Sequence, residues 1–253
     1  MKNYDSKIIA HRGASFNAPE NTIRAITLAW AQKISKVEID IHITKDKRIV
    51  AIHDANTSEV AVKHLNIKNT LFKELQKLDV GSWKHKKWSG VKIPSIEEIL
   101  ATLPKFGVLI IEIKCGIEII PYLRKAIKEI PSHQIEFISF DYRVISSIKT
   151  NFPKHKALWL LDLDYTPETR KNNLPVEIYI QKALEAKLDG LNIWAGKIAN
   201  NNYIKKIKQH NLLVYIWSTN DPKVAKFFLN AKVDALTTDR PLWILQQLKK
   251  KDK

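Results

Sequence analysis

The 253-residue chain is longer than a typical single domain but suits one α/β barrel, and its 45% hydrophobic content can fill one sizeable core. One cysteine, Cys115, excludes an intrachain disulfide, no apolar run is long enough to span a bilayer, and residues 1–5 bring no apolar leader, so a cytoplasmic protein is the expectation. The net charge of +16, from 42 basic and 26 acidic residues, is scattered, as at Lys84, Lys86 and Lys87 or Lys205, Lys206 and Lys208, and reads first as solvation; nucleic acid is not an expected partner, whereas steering of an anionic substrate and weak contact with an anionic membrane surface are.

In chain order, the hydrophobic pattern predicts strand Lys7–Gly13, helix Asn21–Lys33, and strand Val37–Thr44 with a hairpin partner at Ile49–Asp54. An excursion over 55–94 follows, with a short amphipathic helix at Leu71–Leu78 and the aromatics Trp83 and Trp88 in a lysine-rich stretch. Helix Ser95–Leu103, strand Val108–Lys114, helix Glu118–Ile130, strand Ile135–Asp141 and helix Tyr142–Phe152 come next. Strand Ala157–Leu161, helix Val176–Lys187, strand Gly190–Trp194 and helix Asn201–His210 continue the alternation, and strand Leu213–Ser218, helix Pro222–Ala231, strand Ala235–Thr238 and helix Leu242–Lys249 close it.

Repeated strand-then-helix units imply parallel strands with right-handed crossovers, and eight of them close into a (β/α)8 TIM barrel with a small insertion after the second strand. An open doubly wound sheet would need a glycine-rich nucleotide loop, and the chain has only seven glycines and no such loop. One domain over 1–253 is therefore expected, with 55–94 capping the mouth where all strand carboxyl ends meet. His11, Glu38, Asp40, Glu112, Lys114, Trp217 and Asp239 would converge there.

The strand ends carry the chemistry. His11 and Arg12 end the first strand, a pairing suited to binding and protonating a phosphate ester. In Val37–Ile43 strict alternation sets Glu38, Asp40 and His42 on one face and apolar residues on the other. The strand at Ile49 ends in His53-Asp54, and Val108–Lys114 sets Glu112 and Lys114 on one face of an apolar run. A glutamate there is costly to bury unpaired, so it needs a metal or a cation. Three carboxylates and two histidines at strand ends point to a metal-assisted site, the competing reading being a salt-bridge network with Arg12 and Lys114.

The run HRGASFNAPENT, followed by VEIDIHITKD, IVAIHD, IPSIEEIL, LIIEIK, ISFD, VYIWSTND and TTDRP, resembles the glycerophosphodiester phosphodiesterase family, in that family's order from about residue 7 to about residue 243. The resemblance implies hydrolysis of a small-molecule glycerophosphodiester to glycerol 3-phosphate and an alcohol. It implies His11 as base and His53 as acid, with an exchange of roles left open, and Trp217 as a pocket wall. Glu38, Asp40 and Glu112 offer hard oxygen ligands that suit one divalent cation, Mg2+ or Ca2+, and argue against zinc. Arg12 and Lys114, with the metal, would neutralise the phosphodiester. Attack by the glycerol 2-hydroxyl or by water is equally consistent with these residues. The family's usual run in the first half of the insertion is replaced here by Asn56–His64, which leaves a lysophospholipid- or sphingolipid-cleaving enzyme as the alternative substrate class. A non-catalytic basic binding protein is the other alternative, and the intact set of histidines and carboxylates argues against it.

Overall fold

In the computed structural model, which describes residues 4–164 and 175–250, the alternation of short apolar strands and amphipathic helices closes on itself. The strands are β1 (Ile8–Ala10), β2 (Lys36–Ile43), β3 (Ile49–Ala51), β4 (Val108–Ile113), β5 (Ile135–Ser139), β6 (Lys156–Leu161), β7 (Gly190–Trp194), β8 (Leu213–Trp217) and β9 (Ala235–Thr238). The α-helices are α1 (Ile23–Ala31), α2 (Phe72–Leu75), α3 (Ile96–Leu100), α4 (Ile120–Ala126), α5 (Tyr142–Asn151), α6 (Val176–Glu185), α7 (Asn201–Gln209), α8 (Pro222–Asn230) and α9 (Pro241–Lys250). Every strand except β3 runs parallel to its neighbours, and β1 closes the ring by pairing with β2 on one side and β9 on the other. The architecture is a TIM barrel with one extra strand, β3, antiparallel to β2 outside the ring with Ile41 opposite Ala51.

Local chemistry sets the element ends. β1 stops at Ala10, short of the expected Gly13, because Arg12 (φ 53°) and Gly13 (φ 82°) turn the chain into the left-handed region. Gly13 is required twice over, since a Cβ there would also lie 2.5 Å from the carbonyl carbon of Ala25. Thr22 then caps α1 by accepting from the amide of Ala25, and Ala25, Ile26, Ala29 and Trp30 form its buried stripe. Ser95 and Glu98 close a capping box on α3, while Asp141 and Asp221 cap α5 and α8. The helix expected over 118–130 is shorter: a 3-10 turn at Ile117–Ile119 leads into α4, with Pro121 in its first turn where no amide is needed. The helix expected over 71–78 is the single turn of α2.

Strand alternation divides the core in two. Outward residues such as Val37, Ile39, Ile41, Ile111 and Phe137 pack against the helices. Inward residues Ile9, Ile110, Ile138, Leu158, Leu160, Tyr215 and Ala235 fill the middle of the barrel. Below them lies a polar floor: Lys36 Nζ stands 3.0 Å from Glu136 Oε1, and the Tyr215 hydroxyl donates to Glu136 Oε2 at 2.8 Å. A separate cluster of Val50, Ile52, Ile67, Phe72, Leu75, Leu78, Val80 and Ile93 supports the insertion beside β3. Among the described residues no helix is long and apolar enough to cross a membrane.

Candidate active site

Strand register assembles the acidic group. On the inward face of β2 and β4, Asp40 stands beside Glu112, and Glu38 lies two residues earlier on the same face. One oxygen of each of Glu38, Asp40 and Glu112 lies within 4.8 Å of the others, all three side chains buried. The loop after β1 holds them in place. The Arg12 amide donates to Glu38 Oε2 at 2.9 Å, and Asn21 donates to Asp40 Oδ2 at 2.8 Å while its own Oδ1 accepts from the Asp40 amide at 3.0 Å. Asn21 has a φ of 55°, a left-handed conformation that asparagine tolerates better than most residues, so the same loop geometry that follows Gly13 aims its amide.

Burial and mutual repulsion make this group a poor set of free carboxylates. Burial, then the charges of Asp40 and Glu112, raise Glu38 well above the usual carboxylate range, against the pull of Arg12. Burial and Asp40 push Glu112 up to about 7, although Lys114 Nζ is only 2.9 Å from its Oε1. Asp40 is as deep, yet Arg12 and then Lys114 outweigh burial and hold it below the ordinary range. Arg12 Nε sits 3.1 Å from Asp40 Oδ2 but out of hydrogen-bond alignment, a charge contact only, and its Nη1 donates to Glu20 at 2.7 Å. Glu38 Oε1 is buried with no hydrogen-bond partner, and Glu112 Oε1 faces Lys114 without an aligned donor. Buried oxygens left this way, in an all-carboxylate set, fit a hard divalent cation.

Around the carboxylates stand the two imidazoles. His11 Nδ1 lies 2.6 Å from Asp239 Oδ1, and His53 Nδ1 lies 2.7 Å from Asp54 Oδ1. An ionised carboxylate only accepts, so each Nδ1 carries the proton and each neutral ring keeps its lone pair at Nε2. His53 Nε2 is 3.1 Å from Lys114 Nζ. Burial, opposed by Asp40 and joined by the cations Arg12 and Lys114, lowers His53 from the ordinary imidazole range. Asp239 is partly buried, but its bonds to His11, Asn220 and Ser15 hold it well below the ordinary carboxylate range. On the far side, Trp217 meets Trp194 with ring centroids 4.9 Å apart and Phe140 edge-on at 5.4 Å, and its Nε1 is buried without a partner. Lys114 Nζ lies 5.8 Å from the Phe140 ring centroid, so the aromatic wall and the cationic side of the mouth are continuous.

The structure thus gathers the carboxylates Glu38, Asp40 and Glu112 with Arg12, His53 and Lys114, sets His11 on Asp239, and stands Trp217 in the same barrel mouth. His42, set by alternation on the face of Glu38 and Asp40, is buried with Nε2 3.1 Å from the His53 carbonyl oxygen. Four supporting residues were given no site role in the sequence reading: Glu20, Asn21, Asp54 and Asn220. Glu20 and Asn21 were within reach as part of the HRGASFNAPENT run, and Asp54 directly follows His53. Asn220 stood within the VYIWSTND run, but nothing local aimed it at Asp239; it accepts from the Asp239 amide at 3.0 Å and donates to Asp239 Oδ2 at 2.7 Å across two loops.

A sequence profile of the glycerophosphoryl diester phosphodiesterase family matches residues 11–242. The Bacillus subtilis protein YhdW is 31% identical over 249 residues, spanning 94% of this chain and 96% of that protein. A glycerophosphodiester phosphodiesterase of Caldanaerobacter subterraneus is 28% identical over 249 residues, spanning 96% and 98%. Among solved structures, a phosphodiesterase of Oleispira antarctica in complex with the product sn-glycerol-3-phosphate superimposes with a TM-score of 0.85 at 27% identity, covering 96% of each chain.

Proposed function

The chain belongs to the glycerophosphoryl diester phosphodiesterase family, and from that membership and the geometry of the mouth we propose that it hydrolyses glycerophosphodiesters to sn-glycerol 3-phosphate and an alcohol with one divalent cation, Mg2+ or Ca2+. The observation that carries the reading is the buried Glu38–Asp40–Glu112 group with His53, Arg12 and Lys114 gathered about it and His11 on the adjoining loop. These three carboxylates would hold the cation, which when bound supplies Lewis-acid neutralisation of the phosphodiester.

The chain's own residues supply the rest. Arg12, fixed by Glu20 and Asp40, and Lys114, fixed by Glu112, bring two cations to the site without freedom to turn away. Preorganised charge of this kind favours the added negative charge of the pentacoordinate transition state over the ground state. His11, held by Asp239, keeps its Nε2 lone pair for the proton of the attacking hydroxyl. Burial, with Arg12 and Lys114, lowers His53 from the ordinary imidazole range; with its Nδ1 held by Asp54, His53 is the group that would deliver a proton to the leaving oxygen. Trp217 and Phe140 wall the glycerol side. A second reading, the same cleavage of an acylated glycerophosphodiester, is favoured by the exposure of Phe16, Trp83 and Phe140 on mouth loops.

The test is turnover of glycerophosphocholine with and without chelator, with both products identified. Expected is choline with glycerol 3-phosphate, lost in chelator and restored by Mg2+ or Ca2+. Full activity in excess chelator, or phosphocholine with glycerol as products, would overturn it.

A further inference from the structure

Exposed apolar side chains occur on the helices, as at Tyr122, Leu184 and Phe227, and a further group stands at one end of the barrel. Phe16 (54% exposed), Trp83 (46%), Phe140 (44%) and the fully exposed Val62 all belong to loops at the carboxyl ends of strands or to the insertion beside them. Phe16 follows His11 in its loop, and its amide donates to the Asp239 carbonyl at 3.0 Å. Phe140 directly follows β5 and leans on Trp217. Val62 is two residues past Val60, which lines a cleft with Glu20, His53 and Val80. Trp83 follows Val80 in the second half of the insertion and donates its indole N–H to the Val80 carbonyl at 2.9 Å, which leaves the ring face outward. These four side chains therefore share the mouth end of the barrel.

Each aromatic on this rim carries a cation. Lys84 Nζ lies 5.5 Å from the Trp83 ring centroid, Lys87 Nζ lies 5.1 Å from that of Trp88, and the Arg240 guanidinium lies 4.2 Å from Phe16 and 4.0 Å from Trp243. Lys84 also faces Glu20 and Asp239 at the mouth, which ties the insertion's basic loop to the His11 side of the site. Lys86 stands exposed beside them. Aromatic rings clustered with long basic side chains are the arrangement that stands at a bilayer's headgroup level, rings among upper acyl carbons and cations among phosphates. Nucleic acid would also attract the cations, but an aliphatic side chain with its whole surface in water, as Val62 has, gains nothing from a base and gains from an acyl chain.

We infer that the rim formed by Phe16, Val62, Trp83, Lys84, Lys86 and Lys87 docks the barrel mouth onto an anionic phospholipid bilayer. Charge complementarity selects the occupant: the chain carries +16, and cytoplasmic-facing leaflets are anionic. Docking does not depend on the proposed chemistry, and the two are measured separately.

The experiment is sedimentation of the full chain with vesicles of phosphatidylcholine alone and with about 30 mol % phosphatidylglycerol, at low and at physiological salt. Expected is binding to the anionic vesicles alone, weakened by salt. The double substitution Lys86→Gln with Lys87→Gln should weaken it roughly tenfold or more. Trp83→Ala with Val62→Ser should weaken it severalfold, and Trp83→Phe should keep binding while losing much of the fluorescence quenching by brominated acyl chains. Binding unaffected by all of these variants, no binding at low salt, or equal binding to phosphatidylcholine would overturn the inference. So would duplex DNA binding as tightly as the vesicles with vesicle binding indifferent to Trp83→Ala and Val62→Ser. Turnover of soluble glycerophosphocholine without vesicles should be unchanged in these variants. Intact turnover with no vesicle binding defeats the docking surface alone, and intact vesicle binding with no turnover defeats the proposed activity alone.

Discussion

A carboxyl lifted to about 7 by burial and by Asp40 needs a cation nearby to be charged at neutral pH, which makes Glu112 the residue to change. Glu112→Gln keeps the shape and removes the charge, so metal-dependent turnover should vanish while far-UV circular dichroism and the thermal midpoint persist; retained turnover would exclude a three-carboxylate metal site. For the imidazoles, acid or base assistance usually supplies about a hundred- to ten-thousand-fold in rate. His11→Ala and His53→Ala should each lose that order of kcat, and the double variant should fall far short of the product of the two losses if both serve one reaction. A loss below about tenfold in either variant would remove that histidine from the chemistry. The sequence made these residues legible because each ends an apolar strand, and period-two alternation says which side chains share a face. It does not say what stands across from them. The pairing of His11 with Asp239 joins residues 228 positions apart, and no local pattern announces it.

At the level of elements, the insertion carries its own pH-dependent clasp. Asp79 accepts from the amides of Gly81, Ser82 and Gly90 and from the hydroxyls of Ser82 and Ser89, which together hold its carboxyl well below the ordinary carboxylate range. A depressed folded pKa means that the clasp is fully present above the ordinary carboxylate pKa and is lost as pH falls from there toward the lowered folded value. The amides of Gly81, Ser82 and Gly90 should therefore stay protected from hydrogen exchange down through pH 4, about the ordinary Asp value. In Asp79→Asn they should exchange fast at neutral pH; unchanged protection would show that the loop is held by something else. Helices and strands were largely legible, and the misses fall at their ends. The pattern extended the helix before Ile130 and the one around Leu75 because apolar spacing continues past the end of the regular α-helix, at Ala126 and Leu75, into turns such as that closed by the Leu78 amide on the Leu75 carbonyl.

For the molecule as a whole, the regular alternation of units made the barrel legible, whereas its polar floor was not. Nothing in the local pattern joins Lys36 and Lys156, yet closure of the ring turns both toward Glu136. Glu136 is 3% exposed and held below the ordinary carboxylate range, against burial, by Lys36 and Lys156. Glu136→Ala would leave Lys36 without its counter-charge beneath an apolar layer, and should cost roughly 3 kcal/mol of stability by denaturant titration, with KM for glycerophosphocholine unchanged. A loss within about 0.5 kcal/mol would mean that water already serves those groups. The ring's seam has a consequence in time. β1 precedes every other strand of the barrel and β9 follows them all, and β1 is held between β2 and β9. His11 can meet Asp239 only after every strand between them has been made, so a nascent chain keeps these two residues apart until β9 has emerged. The long-range closure that completes the fold is thereby also the step that sets His11 on Asp239.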